Sequence, residues 1–420
     1  MKLLIQNGWL INPRARGGRL DILVSDGKIA GIAPHIMQED AQCIDATGYW
    51  VTPGLIDMHV HLREPGFEYK EDIASGTDAA VHGGFTAVAC MPNTDPVNDN
   101  ESVLCYIKSK AAQAGRARVY PICAITKGLQ GKELTEMGIL LLAGAVAFSD
   151  DGKPVSDANR MRLALEYAKN FDALIISHCE EISLSQGVMN EGYYSAILGL
   201  DGITRAAEEV MVARDILLAQ AIGTKVHIAH VSTAGSVKLI REAKARGVKV
   251  TCETAPHYFS ATDEWVCAYD TNTKMNPPLR TDDDVAAIKQ GLRDGTIDVI
   301  ATDHAPHHID EKRVEYNMAQ NGIVGLETAF SLAMTHLVKE GVLTDEQLIE
   351  RMSVRPAQLL KVEGGVLQEG APADIAIFDP HKEVVYTEKN LHSKSKNTPF
   401  LGRRYIGAVV QTIVGGVPML

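Results

Sequence analysis

The segment Leu55–Arg63, which reads LIDMHVHLR, decides the fold. Its apolar first part predicts a buried strand, and this strand ends in His59 and His61. Side chains two positions apart on a strand point to the same face, about 7 Å apart along the chain, so both imidazoles can reach one cation. Taken alone, His-x-His is a weak signal, because packing or surface histidines are commoner. The residues at the ends of the other predicted strands therefore decide between a metal site and ordinary packing or surface histidines.

Apolar runs of strand length alternate with amphipathic segments from Val51 to about Gly341. The strand candidates are Leu55–Val60, Thr86–Met91, Arg118–Ile125, Val146–Ser149, Leu174–His178, Val226–Val231, Val248–Glu253 and Val299–Thr302. Eight strands, most followed by a helix, predict an α/β fold of the (β/α)8 TIM barrel type. A doubly wound open sheet is the alternative, but it usually carries a glycine-rich fingerprint after its first strand, where this chain has histidines.

Both ends of the chain have a different pattern, with short strands punctuated by glycine and proline. The candidates are Leu3–Gln6, Leu20–Val24, Lys28–Ile32, Ala373–Phe378 and Ala408–Val414. Asp26-Gly27 between two such strands is a hairpin signal. We therefore expect residues 1–50 and 361–420 to form one composite β-sandwich domain and residues 51–360 to form the catalytic barrel.

The composition excludes several classes of function. The 420 residues include 41 basic and 53 acidic side chains, a net charge of −12, and no dense Lys/Arg run of the kind that binds nucleic acid. No apolar stretch approaches the roughly 20 residues that span a membrane. The seven cysteines stand apart without a CxxC pair, which is typical of reduced thiols. We expect a cytoplasmic enzyme that acts on a small molecule.

Metal-binding residue types stand where four more of the predicted strands end. They are the pair Asp150-Asp151 after strand 4, His178, His230 and Asp303. In a barrel these strand ends converge on one site, and histidine with carboxylate suits Zn²⁺. Four histidines and two aspartates exceed the needs of one tetrahedral ion and fit two ions about 3.5–4 Å apart. Such a pair favours hydrolytic attack on an amide carbon, with Asp303 as the catalytic general base.

Three motifs carry a family resemblance. Asp57–Gly66 (DMHVHLREPG), Met91–Thr94 (MPNT) and Ala301–His307 (ATDHAPH) resemble those of bacterial class I dihydroorotases in the amidohydrolase superfamily. The similarity covers essentially the whole chain. It implies reversible cyclisation of N-carbamoyl-L-aspartate to (S)-dihydroorotate, the third step of pyrimidine biosynthesis. It also implies a homodimer or a complex with aspartate carbamoyltransferase.

The resemblance assigns roles residue by residue. The implied metal ligands are His59, His61 and Asp303 for one zinc ion, His178 and His230 for the second, and Asp151 as the carboxylate between them. The implied substrate-binding residues are His61, Arg63, Asn93, Asn276, His307, Asn321 and Gly322. Arg63 follows His61 by two and can form a forked contact with a carboxylate, although a surface arginine is the alternative. Asn321-Gly322 is the weakest match, because Asn-Gly is a common turn.

Two alternatives stay open at the level of sequence. The first is another cyclic amidohydrolase, such as a hydantoinase or an allantoinase, which would place a metal-bridging carboxylated lysine on strand 4. The predicted strand here has none, since Lys153 lies beyond it. The second is an inactive dihydroorotase-like partner of aspartate carbamoyltransferase, which would lose metal histidines. Two more histidines have other interpretations: His227 packs on the opposite face of its strand, and His257 stands beside the site without binding metal.

Overall fold

Eight parallel strands form a closed barrel in the computed structural model, which describes residues 2–15 and 17–420. The strands are Leu55–Val60, Phe85–Cys90, Arg118–Cys123, Ala147–Phe148, Ile176–Ser177, Val226–Ile228, Val250–Thr254 and Val299–Ile300. They pair as two four-stranded halves. Parallel bridges join Phe148 to Ile175 and Val60 to His304, and these close the ring. The predicted (β/α)8 barrel is therefore confirmed.

Helices cover the outside of this barrel. The longer ones are Ile73–His82, Glu101–Ala114, Met137–Ala143, Ala158–Lys169, Tyr193–Leu198, Ala206–Ile222, Ala234–Ala245, Asp282–Asp294 and Arg355–Leu360. Shorter ones are Pro256–Ser260, Ile309–Lys312, Ala329–Ala333 and Asp345–Ile349. Ala158–Lys169 shows why they form: the Asp157 side chain caps its first turn, and one apolar stripe faces inward. In the described part of the chain, no helix has both the length and the apolar character needed to cross a bilayer.

Several barrel strands end earlier than the apolar runs predict. The runs continue to Val231 and Thr302, whereas the strands end at Ile228 and Ile300. Just beyond those ends, His230 and Asp303 have positive φ angles of 32° and 50°, and Arg63 has 62°. Such backbone is costly for residues other than glycine and is found mostly at functional sites. The backbone therefore turns out of the extended strand conformation at these three residues, which lie at the edge where the barrel opens.

The two ends of the chain form two further sheets. One has the strand order Lys28–Ala33, Asp21–Ser25, Lys2–Gln6, Gln42–Asp45. The other has the order Val417–Pro418, Arg404–Val414, Ile375–Val385, Trp50–Pro53, Trp9–Leu10, Gly18–Arg19. A common apolar core joins both ends, with Leu3 and Ile22 packed in the same cluster as Ile375 and Ile413. The domain boundaries at residues 50 and 361 stay a prediction.

Candidate active site

Two clusters of buried metal-ligating side chains lie at the carboxyl ends of the barrel strands. One consists of His59, His61 and Asp303, and the other of Asp151, His178 and His230. The structure thus brings together all six residues that the sequence predicts as ligands. His59 lies near the end of the first strand and His61 directly follows that strand, whereas the other four follow strands that are distant in sequence.

Asp151 contacts both clusters. Its Oδ1 lies 3.4 Å from His59 Nε2, and its Oδ2 lies 3.4 Å from His61 Nε2. The same Oδ1 lies 3.6 Å from His178 Nδ1 and 3.5 Å from His230 Nε2. Asp151 therefore lies between the two clusters, within 3.6 Å of an imidazole nitrogen of each.

The geometry of the first cluster fits a divalent metal ion. Ligand atoms at 2.0–2.1 Å from a tetrahedral ion are about 3.3 Å apart. Asp303 Oδ1 lies 3.2 Å from His61 Nε2 and 3.5 Å from His59 Nε2. Two buried atoms that face this space, His59 Nε2 and Asp151 Oδ1, have no hydrogen-bond partner in the described part of the chain. Because an unpaired buried polar atom is costly, these atoms indicate a bound cation.

The second cluster is tighter. His178 Nδ1 and His230 Nε2 are only 2.7 Å apart, less than the spacing of two ligands on one tetrahedral ion. These two nitrogens have to separate by about 0.6 Å when an ion binds between them. The first cluster is therefore the better preformed of the two.

Hydrogen bonds on the far side of three of the four imidazoles determine which nitrogen faces the centre. His59 Nδ1 donates to Glu253 Oε1 at 2.5 Å, and His178 Nε2 donates to Glu180 Oε2 at 3.1 Å. His61 Nδ1 donates to Asn93 Oδ1 at 2.9 Å. Such outer partners fix the tautomer and the ring orientation of metal-binding histidines.

Charge in the centre is balanced between acids and imidazoles. Burial alone would raise the pKa of Asp151, but His59, His178 and His230 hold this pKa well below its ordinary value. Burial alone would likewise lower the pKa of His59, but the carboxylates of Asp151, Glu253 and Asp303 hold this pKa well above its ordinary value. The acids therefore stay ionised and attract cations to the clusters.

A cavity of about 190 Å³ opens over the two clusters. All seven residues predicted to bind substrate line it: His61, Arg63, Asn93, Asn276, His307, Asn321 and Gly322. The tertiary structure thus gathers loops that follow strands 1, 2, 7 and 8. Their roles in binding stay predictions.

Arg63 is a buried cation without an acidic partner. Its Nε donates to the carbonyl of Pro306 at 3.1 Å, and one terminal nitrogen lies 3.3 Å from His307 Nε2. Within residues 2–15 and 17–420, no carboxylate comes within 4.0 Å of the guanidinium. Burial lowers its pKa to about 10, so it is still charged at neutral pH. A buried charge of this kind calls for an anion in the cavity.

His307 is a neutral hydrogen-bonding group in the same wall. Burial, Arg63, Lys312 and Lys70 together hold its pKa well below its ordinary value. Its Nε2 lies 2.8 Å from the carbonyl oxygen of Asn321 and donates to it. The donor therefore points along the edge of the cavity.

Two acids that the sequence analysis missed complete the site. Glu253 is 1% exposed and bonds both His59 and His227, the latter at 3.3 Å. Glu180 joins His178 to Asn276, whose Nδ2 donates to it at 3.0 Å. Two features of the sequence could have identified these acids: Glu253 stands at the end of a buried strand, and Glu180 stands two positions after His178. The packing role predicted for His227 is incomplete, because this residue extends the polar network.

A third histidine–carboxylate group lies elsewhere, at the end of the helix Ile73–His82. It consists of Asp78, His82 and His392. Arg116 Nε lies 3.2 Å from Asp78 Oδ1, so a cation already pairs with this acid.

His257, in contrast, lies beside the main centre. It is buried, and burial lowers its pKa to about 4.

Comparison with known proteins supports one family. A family model described as dihydro-orotase-like matches residues 48–236. The chain is 57% identical over 419 residues to the dihydroorotase of Geotalea daltonii, covering 99% of this chain and 98% of that protein. It is 56% identical over 416 residues to the dihydroorotase of Acetivibrio thermocellus, with the same coverage.

Solved structures of an L-hydantoinase and a dihydropyrimidinase share the architecture. L-hydantoinase from Arthrobacter aurescens superimposes with a TM-score of 0.90 at 26% identity, covering 99% of this chain and 95% of that one. Dihydropyrimidinase from Brevibacillus agri NCHU1002 superimposes with a TM-score of 0.87 at 23% identity, covering 100% and 95%, and so shows the fold alone. Given the full-length identity to dihydroorotases, the chain belongs to the dihydroorotase family of metal-dependent cyclic amide hydrolases.

Proposed function

We propose that the chain is a dihydroorotase that interconverts N-carbamoyl-L-aspartate and (S)-dihydroorotate plus water, in the third step of de novo pyrimidine biosynthesis. The observation that carries this proposal is the unpaired, buried Arg63 in the wall of a cavity whose floor is two histidine–aspartate clusters. A cyclic amide that also bears a carboxylate meets both features at once. A neutral cyclic amide leaves Arg63 without a partner.

Two zinc ions are the proposed cofactors. His59, His61 and Asp303 would hold one, His178 and His230 the other, and Asp151 both. When bound, such ions polarise a carbonyl group and lower the pKa of water to about 7. Zinc fits the nitrogen and oxygen ligand set, and no cysteine is among the ligands.

Asp303 is the proposed general base. Its carboxylate lies at the cavity edge of the first cluster, within 3.5 Å of both His59 and His61. In hydrolysis it accepts the proton of the water that attacks the ring amide carbon, and it returns that proton to the ring nitrogen as the carbon–nitrogen bond breaks. In cyclisation Asp303 accepts a proton from the carbamoyl nitrogen as that nitrogen bonds to the carbon of the side-chain carboxyl group. It then donates this proton to the hydroxyl group that departs from the same carbon, so that water leaves.

Substrate orientation comes from the cavity wall. Arg63 and Asn93 are placed to bind the carboxylate that does not react, and His307 binds it when its Nε2–H turns from the Asn321 carbonyl to the substrate. Because His61 occupies Asn93 Oδ1, the amide nitrogen of Asn93 is left to donate to the substrate. Asn276, Asn321 and Gly322 face the ring from the opposite loops. These contacts hold the reacting carbon in position and supply binding energy away from it.

The alternatives make different predictions. A hydantoinase or an allantoinase would carry a lysine in the bridging position, where this chain has Asp151 at 3.4–3.6 Å from four imidazoles. An inactive partner of aspartate carbamoyltransferase would have lost part of the ligand set, which is complete here.

One experiment separates these functions. The purified protein, with its metal content measured, is assayed for cyclisation of carbamoyl-aspartate and for hydrolysis of dihydroorotate, hydantoin and allantoin. We expect turnover of the first two only. Hydrolysis of hydantoin or allantoin at a comparable kcat/KM, or metal-loaded protein without turnover, would contradict the proposal.

The remaining proposals concern assembly and location. A homodimer, a complex with aspartate carbamoyltransferase and a cytoplasmic location follow from the family resemblance. Size-exclusion chromatography with light scattering, alone and with aspartate carbamoyltransferase added, tests the first two.

A further inference from the structure

Lys312 is a buried lysine that no step of the proposed reaction uses. It ends the short helix Ile309–Lys312 and is 3% exposed. No carboxylate pairs with it within 4.0 Å in the described part of the chain. A lysine is almost never fully buried unless its charge is compensated, so the surroundings of its ammonium group require an explanation.

Three backbone carbonyl groups compensate the charge. Lys312 Nζ donates to the carbonyl oxygens of Thr271 at 3.1 Å, Lys274 at 3.2 Å and Gln320 at 2.7 Å. An ammonium group has three N–H donors, so all of them are used. Burial and the nearby Lys274 lower the pKa of Lys312 to about 7, and the three carbonyl dipoles oppose this shift because they bind the charged form.

The three carbonyls belong to two loops of the candidate site. Thr271 and Lys274 precede Asn276 in the loop after strand 7, and Gln320 precedes Asn321 and Gly322 in the loop after strand 8. The loops also bond directly, since the Gly322 amide donates to the Lys274 carbonyl at 3.0 Å. Lys274 Nζ in turn donates to the Asn317 carbonyl at 2.8 Å. One ammonium group thus lies at the junction of both substrate-facing loops.

We propose that Lys312 is a positioning residue whose ammonium group ties the loop Thr271–Asn276 to the segment Gln320–Gly322 and so sets the distance between their contacts to the substrate ring. This inference rests on the proposed function for its catalytic consequence. Its structural part, the tie between the loops, stands apart from the reaction. Lys312 does not touch substrate, and it acts through Asn276, Asn321 and Gly322.

The test replaces Lys312 by methionine, which keeps the length of the side chain and removes the donors. Lys244→Met is the matched control, because Lys244 Nζ also donates to two backbone carbonyls, of Gly295 at 3.5 Å and Thr296 at 2.8 Å, in the segment that enters strand 8 at the other end of the barrel. Hydrogen exchange of backbone amides reports on the tie, and KM and kcat for dihydroorotate report on its consequence.

In K312M we expect faster exchange at residues 271–276 and 319–322, the Gly322 amide included, with unchanged metal content. We expect KM to rise about tenfold and kcat to change far less, because the loops supply binding rather than proton transfer. K244M should leave KM and the exchange of these loops at wild-type values. Lys312→Gln, which keeps two donors on a shorter side chain, is the second variant if K312M does not fold. It should raise KM above the wild-type value but by less than about tenfold, with faster exchange in the same two loops.

Unchanged exchange in the two loops would overturn the tie, and faster exchange with an unchanged KM would overturn the positioning role. A wild-type protein without dihydroorotase activity would refute the proposed function instead. In that case the exchange experiment still decides whether Lys312 ties the loops.

Discussion

Replacing Glu253 by glutamine tests whether the outer hydrogen bond of His59 contributes to metal binding. The Glu253 carboxylate is 1% exposed and accepts from His59 Nδ1 at 2.5 Å and His227 Nε2 at 3.3 Å. Burial alone would raise its pKa, but His59 and His227 hold this pKa well below its ordinary value, so the acceptor is ionised. Glutamine preserves the shape and one acceptor oxygen and removes the charge.

The magnitude follows from the kind of hydrogen bond that is lost. A bond to a charged group contributes about 1.5–3 kcal/mol and a neutral bond about 0.5–1.5 kcal/mol. The difference of roughly 1–1.5 kcal/mol corresponds to about a tenfold loss of metal affinity. The affected cluster is the one that contains His59, and Glu180→Gln should weaken the other cluster through His178.

The assay is competition for Zn²⁺ with a chromophoric chelator, together with a count of bound ions per chain. Glu340→Gln is the matched control. Glu340 lies 3.4 Å from His336 near the protein surface, and neither residue belongs to a histidine–aspartate cluster. We expect the control to bind zinc as the wild type does. A dissociation constant for E253Q within twofold of the wild-type value would refute the orienting role of Glu253.

Three further perturbations probe the proposed roles. Asp303→Asn should lower kcat at least about 100-fold while some metal is retained, and near-wild-type turnover in stopped assays would remove the general base assignment. Arg63→Met should raise KM for dihydroorotate about 10–100-fold, because a charge-assisted contact worth about 1.5–3 kcal/mol is lost; an unchanged KM would place the carboxylate elsewhere. Burial raises the pKa of Glu327 to about 7, so the folded state keeps a proton that the unfolded chain loses near its ordinary value. The contribution of this protonated carboxyl group to the free energy of unfolding is fully present below the ordinary pKa, and it is lost as the pH rises through about 7. Relative to Glu327→Gln, the wild type should therefore lose roughly 3 kcal/mol of unfolding free energy between pH 4 and pH 8 in urea titrations, and parallel pH profiles would contradict this.

Much of the site could be predicted because its chemistry repeats at one kind of position. His59 and His61 share a face through strand periodicity alone. Asp151, His178, His230 and Asp303 follow apolar runs, and the barrel rule places all such positions at one edge. The roles of Arg63 and Asn93 depend on the family resemblance, because an arginine or an asparagine in a loop has no periodicity to identify it.

The sequence by itself determined the order of strands and helices, the β-rich character of both ends and the six candidate ligands, because these follow from local periodicity and residue type. Only the tertiary structure decided which groups meet across long separations. Glu253 reaches His59 over 194 residues, Glu180 reaches Asn276 over 96, and Lys312 reaches Thr271 and Gln320 from a third segment. These contacts depend on how loops without a repeating pattern fold over the barrel. Distance and burial then separate a ligand from an orienting acid, and neither quantity is present in a linear chain.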